Sequence, residues 1–334
     1  MRNECSLENV KECDFAIIGA NISGALMAYR LEQHFLKNIV IFEECSRNIR
    51  ISKADKVPFY INRIVDIPKV QWKKVQISMK IWNRGEYFYK SNEDINRNYA
   101  KKITGGICPT TIERLQPRKD IFVPVYKNCS GRQTALLSMI YDNLNSTNIM
   151  FGTQIVNIDI ESRIIVDAAG DKYKYKYLIS TIPMRQFLSC TKMDEVFCLP
   201  CLVKSFYIDV KRSKSDGEYQ VIYCPDQAIR INRVACLNKD VYIEATENLS
   251  NSTLNNDEKN FLESISYMFE GETINVRKCS YSRFIENDKD ETMKFMKYLK
   301  EKNVYLLGRY ATWRFMLTED VWETTEKIIR DIGL

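Results

Sequence analysis

The chain has 334 residues, 45% of them hydrophobic and 28% charged, which describes a folded globular protein with room for two cores at roughly 150 residues each. A net charge of +6, with Lys and Arg scattered among Asp and Glu and no long basic block, permits nucleic-acid binding without indicating it. Eleven dispersed cysteines, a polar opening MRNECSLENVKECD without a secretory signal, and no apolar run near the roughly 18 residues of a membrane span point to free thiols in a reducing cytoplasm.

The segment Phe15–Glu44, FAIIGANISGALMAYRLEQHFLKNIVIFEE, reads as a buried strand, a glycine turn, a helix and a second strand ending in acids. That order is the first βαβ unit of a dinucleotide-binding domain. Gly19 permits a sharp turn out of the strand, and Gly24 lets the helix pack closely on the sheet. The helix start at Ile22 and Ser23, with unpaired N–H groups and partial positive charge, suits a pyrophosphate. Glu43, closing the strand IVIFE, can accept hydrogen bonds from a ribose 2′-hydroxyl and would repel a 2′-phosphate, which favours FAD or NAD over NADP. The fingerprint departs from its pattern at the middle glycine, here Asn21. Asn is next best at positive φ, so the turn survives, with a side chain expected where the pyrophosphate approaches. The alternative is a doubly wound sheet that binds nothing.

Farther along come strand-like VQISMKIWN and EYFYK, then ITGGICP, a polar Arg/Lys-rich stretch, and a helix from about Arg132 to Leu144. Strands NIMFGT, IVNIDIE, RIIVDAAG and YKYLISTIP follow. KYKYKY (Lys172–Tyr177) offers charge and stacking for single strands, but its alternation better fits an exposed strand with one Tyr face and one Lys face. Cys198 and Cys201 form CLPC. No second pair with zinc spacing exists, and the text runs on as a strand where a redox pair would open a helix. CLVKSFYIDV, YQVIYC, RINRVACL and DVYIEAT alternate as an antiparallel sheet, beside a polar surface loop NLSNSTLNNDE and a helix DEKNFLESISYMF. A helix near Glu291–Lys300, a strand NVYLLG and a helix from about Glu319 to Ile332 restore the α/β style. The one histidine, His34, reads as surface or packing, which leaves no histidine acid–base pair, Ser–His nucleophile or histidine metal centre.

Three segments in order, IIGANISGALMAYRL, LISTIPMRQF and VYLLGRYATWRFMLTEDVWE, resemble the FAD-binding family that includes flavin amine oxidases, protoporphyrinogen oxidase and UDP-galactopyranose mutase. The resemblance implies an α/β fold: a discontinuous Rossmann-like FAD-binding domain over 1–55, 128–190 and 296–334, and a mixed α+β, antiparallel-sheet substrate domain over 56–127 and 191–295. It implies cofactor contacts at Gly19, Asn21, Ile22, Ser23, Gly24 and Glu43. Val156 would meet the adenine through its backbone, Thr181 and Pro183 would line the cleft, and Gly308 with Arg309 would meet the pyrophosphate. Trp313 would stack on the flavin or join the core. Thr318 and Asp320 open a helix whose N–H groups would face the flavin's N1–O2 edge.

Two departures stand out. The family's Gly-Gly pair after the ribose acid is replaced by ECSRNIRISKADK, where Arg47 or Arg50 would substitute, and the mutase's histidine-bearing loop is absent. YCPDQAIRINRVACL resembles a mutase-branch segment whose Tyr and Arg face the substrate. Tyr223, Arg230 and Arg233 are thus candidates to anchor a carboxylate or phosphate, with Tyr281 and Arg283 behind them. Each also reads as an ordinary surface residue of a basic protein. The expected function is an FAD-dependent, amine-oxidase-like oxidoreductase taking hydride to flavin N5 from a small amine, amino-acid-like or anionic substrate. A non-redox flavoenzyme of the mutase type and a degenerate, non-catalytic scaffold are the alternatives. The compact length and Lys/Asn/Ile-rich text fit an AT-rich bacterial or viral genome, including the compact phage-type branch of this family.

Overall fold

The computed structural model describes residues 10–34, 38–54, 59–67, 70–104, 120–126, 129–130, 132–193, 201–271, 275–276, 279–287, 289–314 and 316–333. The chain divides into two compact units: 1–53, 137–200 and 287–334 form one, and 54–136 with 201–286 the other.

In the first unit the apolar runs FAII and IVIF become strands β1 (Lys11–Ile18) and β2 (Ile39–Glu43), joined by helix α1 (Ile22–His34). Phe15, Ala16, Ile17, Ile39 and Ile41 have no exposure, as expected of strands covered on both faces. The sheet runs Thr147–Phe151, β2, β1, Lys172–Ser180, Ile164–Asp167, Ile155–Asp159, with Val304–Leu306 beside the far half of Lys172–Ser180. The strands on either side of β1 are parallel, while 155–159 and 164–167 pair antiparallel. Ile18, Phe42 and Ser180 stand in register, so the carboxyl ends of the parallel strands share one edge. Ligands of open α/β sheets gather at that edge. Helix α1 is apolar nearly all round because it lies between the sheet and helix Thr318–Asp331. The Arg30 guanidinium sits 3.6 Å over the Trp322 ring and pairs with Glu326 at 3.4 Å, tying those helices together.

KYKYKY belongs to this sheet. The strand is interior, not exposed, with β1 on one side and Ile164–Asp167 on the other. Its alternation survives as a buried Tyr173 and Tyr175 against an exposed Lys174 and Lys176.

The second unit centres on a seven-stranded sheet in the order Cys279–Asn287, Cys201–Arg212, Asp240–Ala245, Ile231–Asn238, Glu218–Tyr223, Ser78–Asn83, Glu86–Phe88. One face packs Tyr219, Val221 and Tyr223 against Ile95, Tyr99 and Ile103 of helix Glu93–Thr104 and against Val75, Ile121 and Val123 of a small sheet. The other packs Ile222, Val234 and Ile243 against Phe261 and Leu262 of helix Asn256–Ser264. VQISMKIWN is split into strands Gln71–Gln76 and Ser78–Asn83. NLSNSTLNNDE is not a simple surface loop: Leu249 and Glu258 are buried, and Asn255 caps the helix that Asn256 begins. The predicted helices settle at Gln133–Asp142, Lys289–Glu301 and Thr318–Asp331. DEKNFLESISYMF breaks after Ser264 into a short 3₁₀ turn, Ser266–Met268. Cys198, and the stretch 105–119 that holds most of ITGGICP, lie outside the described residues. Among the described residues, no helix is long and apolar enough to cross a membrane, and no group of His, Cys, Asp or Glu is gathered to hold a metal ion.

Candidate nucleotide-binding site

Three distant segments meet where α1 begins. Gly19, at φ +98, donates its N–H to the Phe42 carbonyl at 2.8 Å, and a Cβ there would lie 2.6 Å from Thr181 Oγ1. A Cβ on Gly24 would meet the Gly19 carbonyl oxygen at 2.0 Å, so the first turn of α1 rests directly on the turn that precedes it. Gly308, at φ +96 after the strand Val304–Leu306, presses on Ser23: a Cβ would come 2.5 Å from Ser23 Oγ. Each of these glycines is demanded by protein atoms packed against it.

Asn21 corrects the sequence expectation in one respect. It is not at positive φ; the left-handed residues are elsewhere. Its side chain folds back onto the start of α1. Its Oδ1 accepts from the N–H of Ser23 at 2.9 Å and of Gly24 at 3.2 Å. Its Nδ2 donates to the carbonyl and Oγ1 of Thr181, both at 3.0 Å. Asn21 is therefore an N-cap, and the Ser23 and Gly24 N–H groups at the start of α1 are engaged. Thr181 is itself fixed, with Oγ1 donating to the Ile18 carbonyl at 2.9 Å.

Glu43 is 3% exposed. Its carboxylate accepts from the N–H of Ala20 at 2.8 Å and of Cys45 at 3.0 Å, with Arg50 Nε 3.4 Å away. The acid thus braces the glycine turn, while each oxygen keeps further acceptor capacity. The Tyr141 hydroxyl donates to the Ala20 carbonyl, and burial pushes this phenol well above its ordinary range. Arg47 pairs with Asp142 at 2.8 Å, so both candidate arginines engage acids at this edge.

The other cofactor candidates spread along the same unit. Val156 is 47% exposed on strand Ile155–Asp159, Ile22 opens α1, and Pro183 precedes helix Met184–Thr191. Arg309 donates to the Met316 carbonyl at 3.0 Å through Nη2, holding the loop before the final helix. Trp313 is buried at φ +47. Thr318 begins the final helix, and Asp320 caps it by accepting from the Leu317 N–H at 2.8 Å.

In the second unit the structure brings together Tyr223 and Arg233, which are cross-strand partners, and Glu244, which pairs with Arg233 one strand farther on. A register shift between Ile231 and Arg233 turns the successive side chains of Asn232 and Arg233 onto one acid. Arg233 Nη2 donates to Glu244 Oε2 at 2.7 Å and Asn232 Nδ2 donates to Oε1. Tyr223 is buried edge-on to Tyr99, centroids 5.3 Å apart, and burial pushes its phenol up. Glu244 was missed by sequence reasoning; its signal is an acid interrupting the apolar run VYIEA.

Arg230 is held apart from this row. Its backbone N–H and Nε both donate to Glu258 Oε1 at 2.8 Å, and Nη2 donates to Oε2 at 2.7 Å. Tyr281 and Arg283 lie on strand Cys279–Asn287 with side chains outside the described residues, and His34 is exposed at the end of α1. Burial alone would raise the Glu258 carboxyl, but hydrogen bonds from Arg230 and Asn255 outweigh it and hold the group below its usual range. With the folded pKa depressed, the unfolded chain protonates first. The stabilisation is complete above the unfolded value of about 4.3 and is lost as pH falls through the folded one. Glu258→Gln is therefore expected to lower the melting temperature at pH 7 and to flatten its fall under acid. Thermal melts from neutral to acid pH check this, and parallel curves for the two proteins would refute the clasp.

No family model and no curated protein matches this sequence. Solved structures match it over nearly its whole length. UDP-galactopyranose mutase in its reduced form aligns with a TM-score of 0.65 at 16% identity, covering 96% of each chain. The chain has the UDP-galactopyranose mutase fold. The fatty acid isomerase of P. acnes aligns at 0.61 with 10% identity, over 96% of this chain and 99% of that one. Putrescine oxidase aligns at 0.56 with 8% identity, over 97% and 100%. These likenesses show the Rossmann-type α/β fold expected from the sequence, and the turn around Gly19, the acid Glu43 and Gly308 all belong to this chain's parallel-sheet unit.

Proposed function

We propose that the first unit holds FAD, and that the protein is an FAD-dependent oxidoreductase acting on a small amine, amino-acid-like or otherwise anionic substrate. The observation that supports this best is the convergence of the Gly19–Gly24 turn, Glu43 and Gly308 at the carboxyl edge of the parallel strands. The residues fit a dinucleotide at the ribose, where Glu43 retains acceptor capacity, and at the turn, whose backbone is already braced. The amide of Asn21 is the one misfit. FAD, when bound, supplies the electron-accepting ring. The chain's own tasks are then to hold the ribose through Glu43, to orient the phosphates at α1 and Gly308, and to keep water from the ring. Arg233 is proposed to hold the substrate's polar group, since guanidinium binds carboxylate and phosphate through paired donors, with its cross-strand partner Tyr223 packed in the core beside it.

A non-redox use of the same cofactor is the second reading, favoured by the likeness to a mutase and an isomerase. The absorption spectrum of the purified protein tests both, before and after heat release of ligand. Flavin bands are expected, and their anaerobic bleaching by amines or amino acids supports the oxidoreductase. Bands that no such donor bleaches support the second reading. A colourless protein that takes up no added FAD overturns both.

A further inference from the structure

We infer that Asn21 is a built-in competitor for the pyrophosphate, a positioning residue that keeps the start of α1 closed until the nucleotide displaces it. The inference rests on the FAD reading above. All four hydrogen-bonding positions of the amide are in use: Oδ1 takes the N–H groups of Ser23 and Gly24, and Nδ2 is anchored on the carbonyl and hydroxyl of Thr181. A phosphate oxygen at this helix start would compete for those same N–H groups, each of which has one proton to give. The partial negative charge of Oδ1 stands where the phosphate charge would come. Binding must therefore swing the amide out and release its Thr181 anchor. A glycine at this position would present the donors bare.

Two consequences follow. The empty protein keeps a satisfied helix start and stays folded without its nucleotide. Its affinity for FAD is lower than the same fold would have with glycine at position 21.

The test is the dissociation constant for FAD, titrated by quenching of flavin fluorescence on the full chain, for wild type, Asn21→Gly and Asn21→Asp. Glycine at an N-cap supports a helix almost as well as Asn, so the fold tolerates the first change. Asn21→Gly is expected to bind on the order of tenfold tighter, the equivalent of two displaced hydrogen bonds. Asn21→Asp keeps the cap and adds a charge, so it binds at least about tenfold weaker. If Asn21→Gly fails to fold, Asn21→Ser removes the Thr181 anchor while keeping a single capping oxygen, and tighter binding is expected there too. Equal or weaker binding by the folded glycine or serine variant overturns the inference and leaves the FAD reading standing. Folded proteins of which neither wild type nor variant binds FAD overturn the FAD reading, and the competitor role with it.

Discussion

Gly24→Ala is expected to destabilise the first unit by about 3 kcal/mol or more, at the upper end of what overpacking costs. The new methyl carbon would lie 2.0 Å from the Gly19 carbonyl oxygen and 3.3 Å from Ile17 Cγ2. The first obstacle is backbone, held in place by the turn and by Glu43 on the neighbouring Ala20 N–H, so it cannot rotate aside as a side chain would. Helix α1 must instead lift off the sheet, which loosens Ala25, Leu26 and Ala28, all without exposure, and breaks the Asn21 cap. Alanine's better helix propensity returns only about 1 kcal/mol. Against a total stability of roughly 5–15 kcal/mol this is a large fraction. The melting temperature should fall by about 6–12 °C for a unit of this size. Gly170→Ala is the contrasting control: its φ of +91 strains any side chain, as the helical backbone of Gly24 does not, yet nothing lies within 4 Å of the added carbon, so only about 1–2 kcal/mol of backbone strain is expected. Equal melting of Gly24→Ala and wild type would show that the helix does not sit on the turn as described.

Lys102→Met is expected to destabilise the second unit by about 4 kcal/mol, read from urea denaturation. Lys102 is 6% exposed, and its ammonium donates to the carbonyls of Cys224, Asp226 and Ile231, each at 2.7 Å. These three acceptors flank the turn between strands Glu218–Tyr223 and Ile231–Asn238, so one cation from helix Glu93–Thr104 pins both ends of that turn. Methionine fills similar length and volume but offers no donor, leaving three carbonyls without their charged partner. Arginine is expected to rescue little, because a planar fork cannot point three ways as an ammonium does. A loss below about 1 kcal/mol for Lys102→Met would mean that water replaces the lysine at no real cost.

The parallel-sheet unit was legible because its signals are local: FAII, IVIF and Glu43 lie within thirty residues that fold as one βαβ piece. The Tyr/Lys alternation of KYKYKY gave the right faces, but periodicity says nothing about how many neighbours a strand has, and this one lies inside the sheet. Asn21 was misread for a related reason. The pattern supplies the glycine expected at that place, whereas the residue present forms its own hydrogen bonds with Thr181, 160 positions away. Lys102 left no trace at all, since its partners are main-chain carbonyls that no side-chain motif encodes. Arg230 and Glu258 were both visible as charges, yet their clasp depends on Asn255 starting a helix in what reads as a polar loop.

The interleaved make-up of the first unit fixes an order of events during synthesis. β1, α1 and β2 leave the ribosome early, but Val304–Leu306 and the helix Thr318–Asp331 that covers α1 emerge only some 300 residues later. At roughly 5–20 residues per second the nascent βαβ piece waits on the order of tens of seconds with apolar surface uncovered. Both stretches of the second unit have emerged by residue 286, so that unit is free to close first. Within the first unit the Gly19–Gly24 turn is thus translated early and is among the last parts to be enclosed, since the helix that covers α1 is finished only as translation passes residue 331.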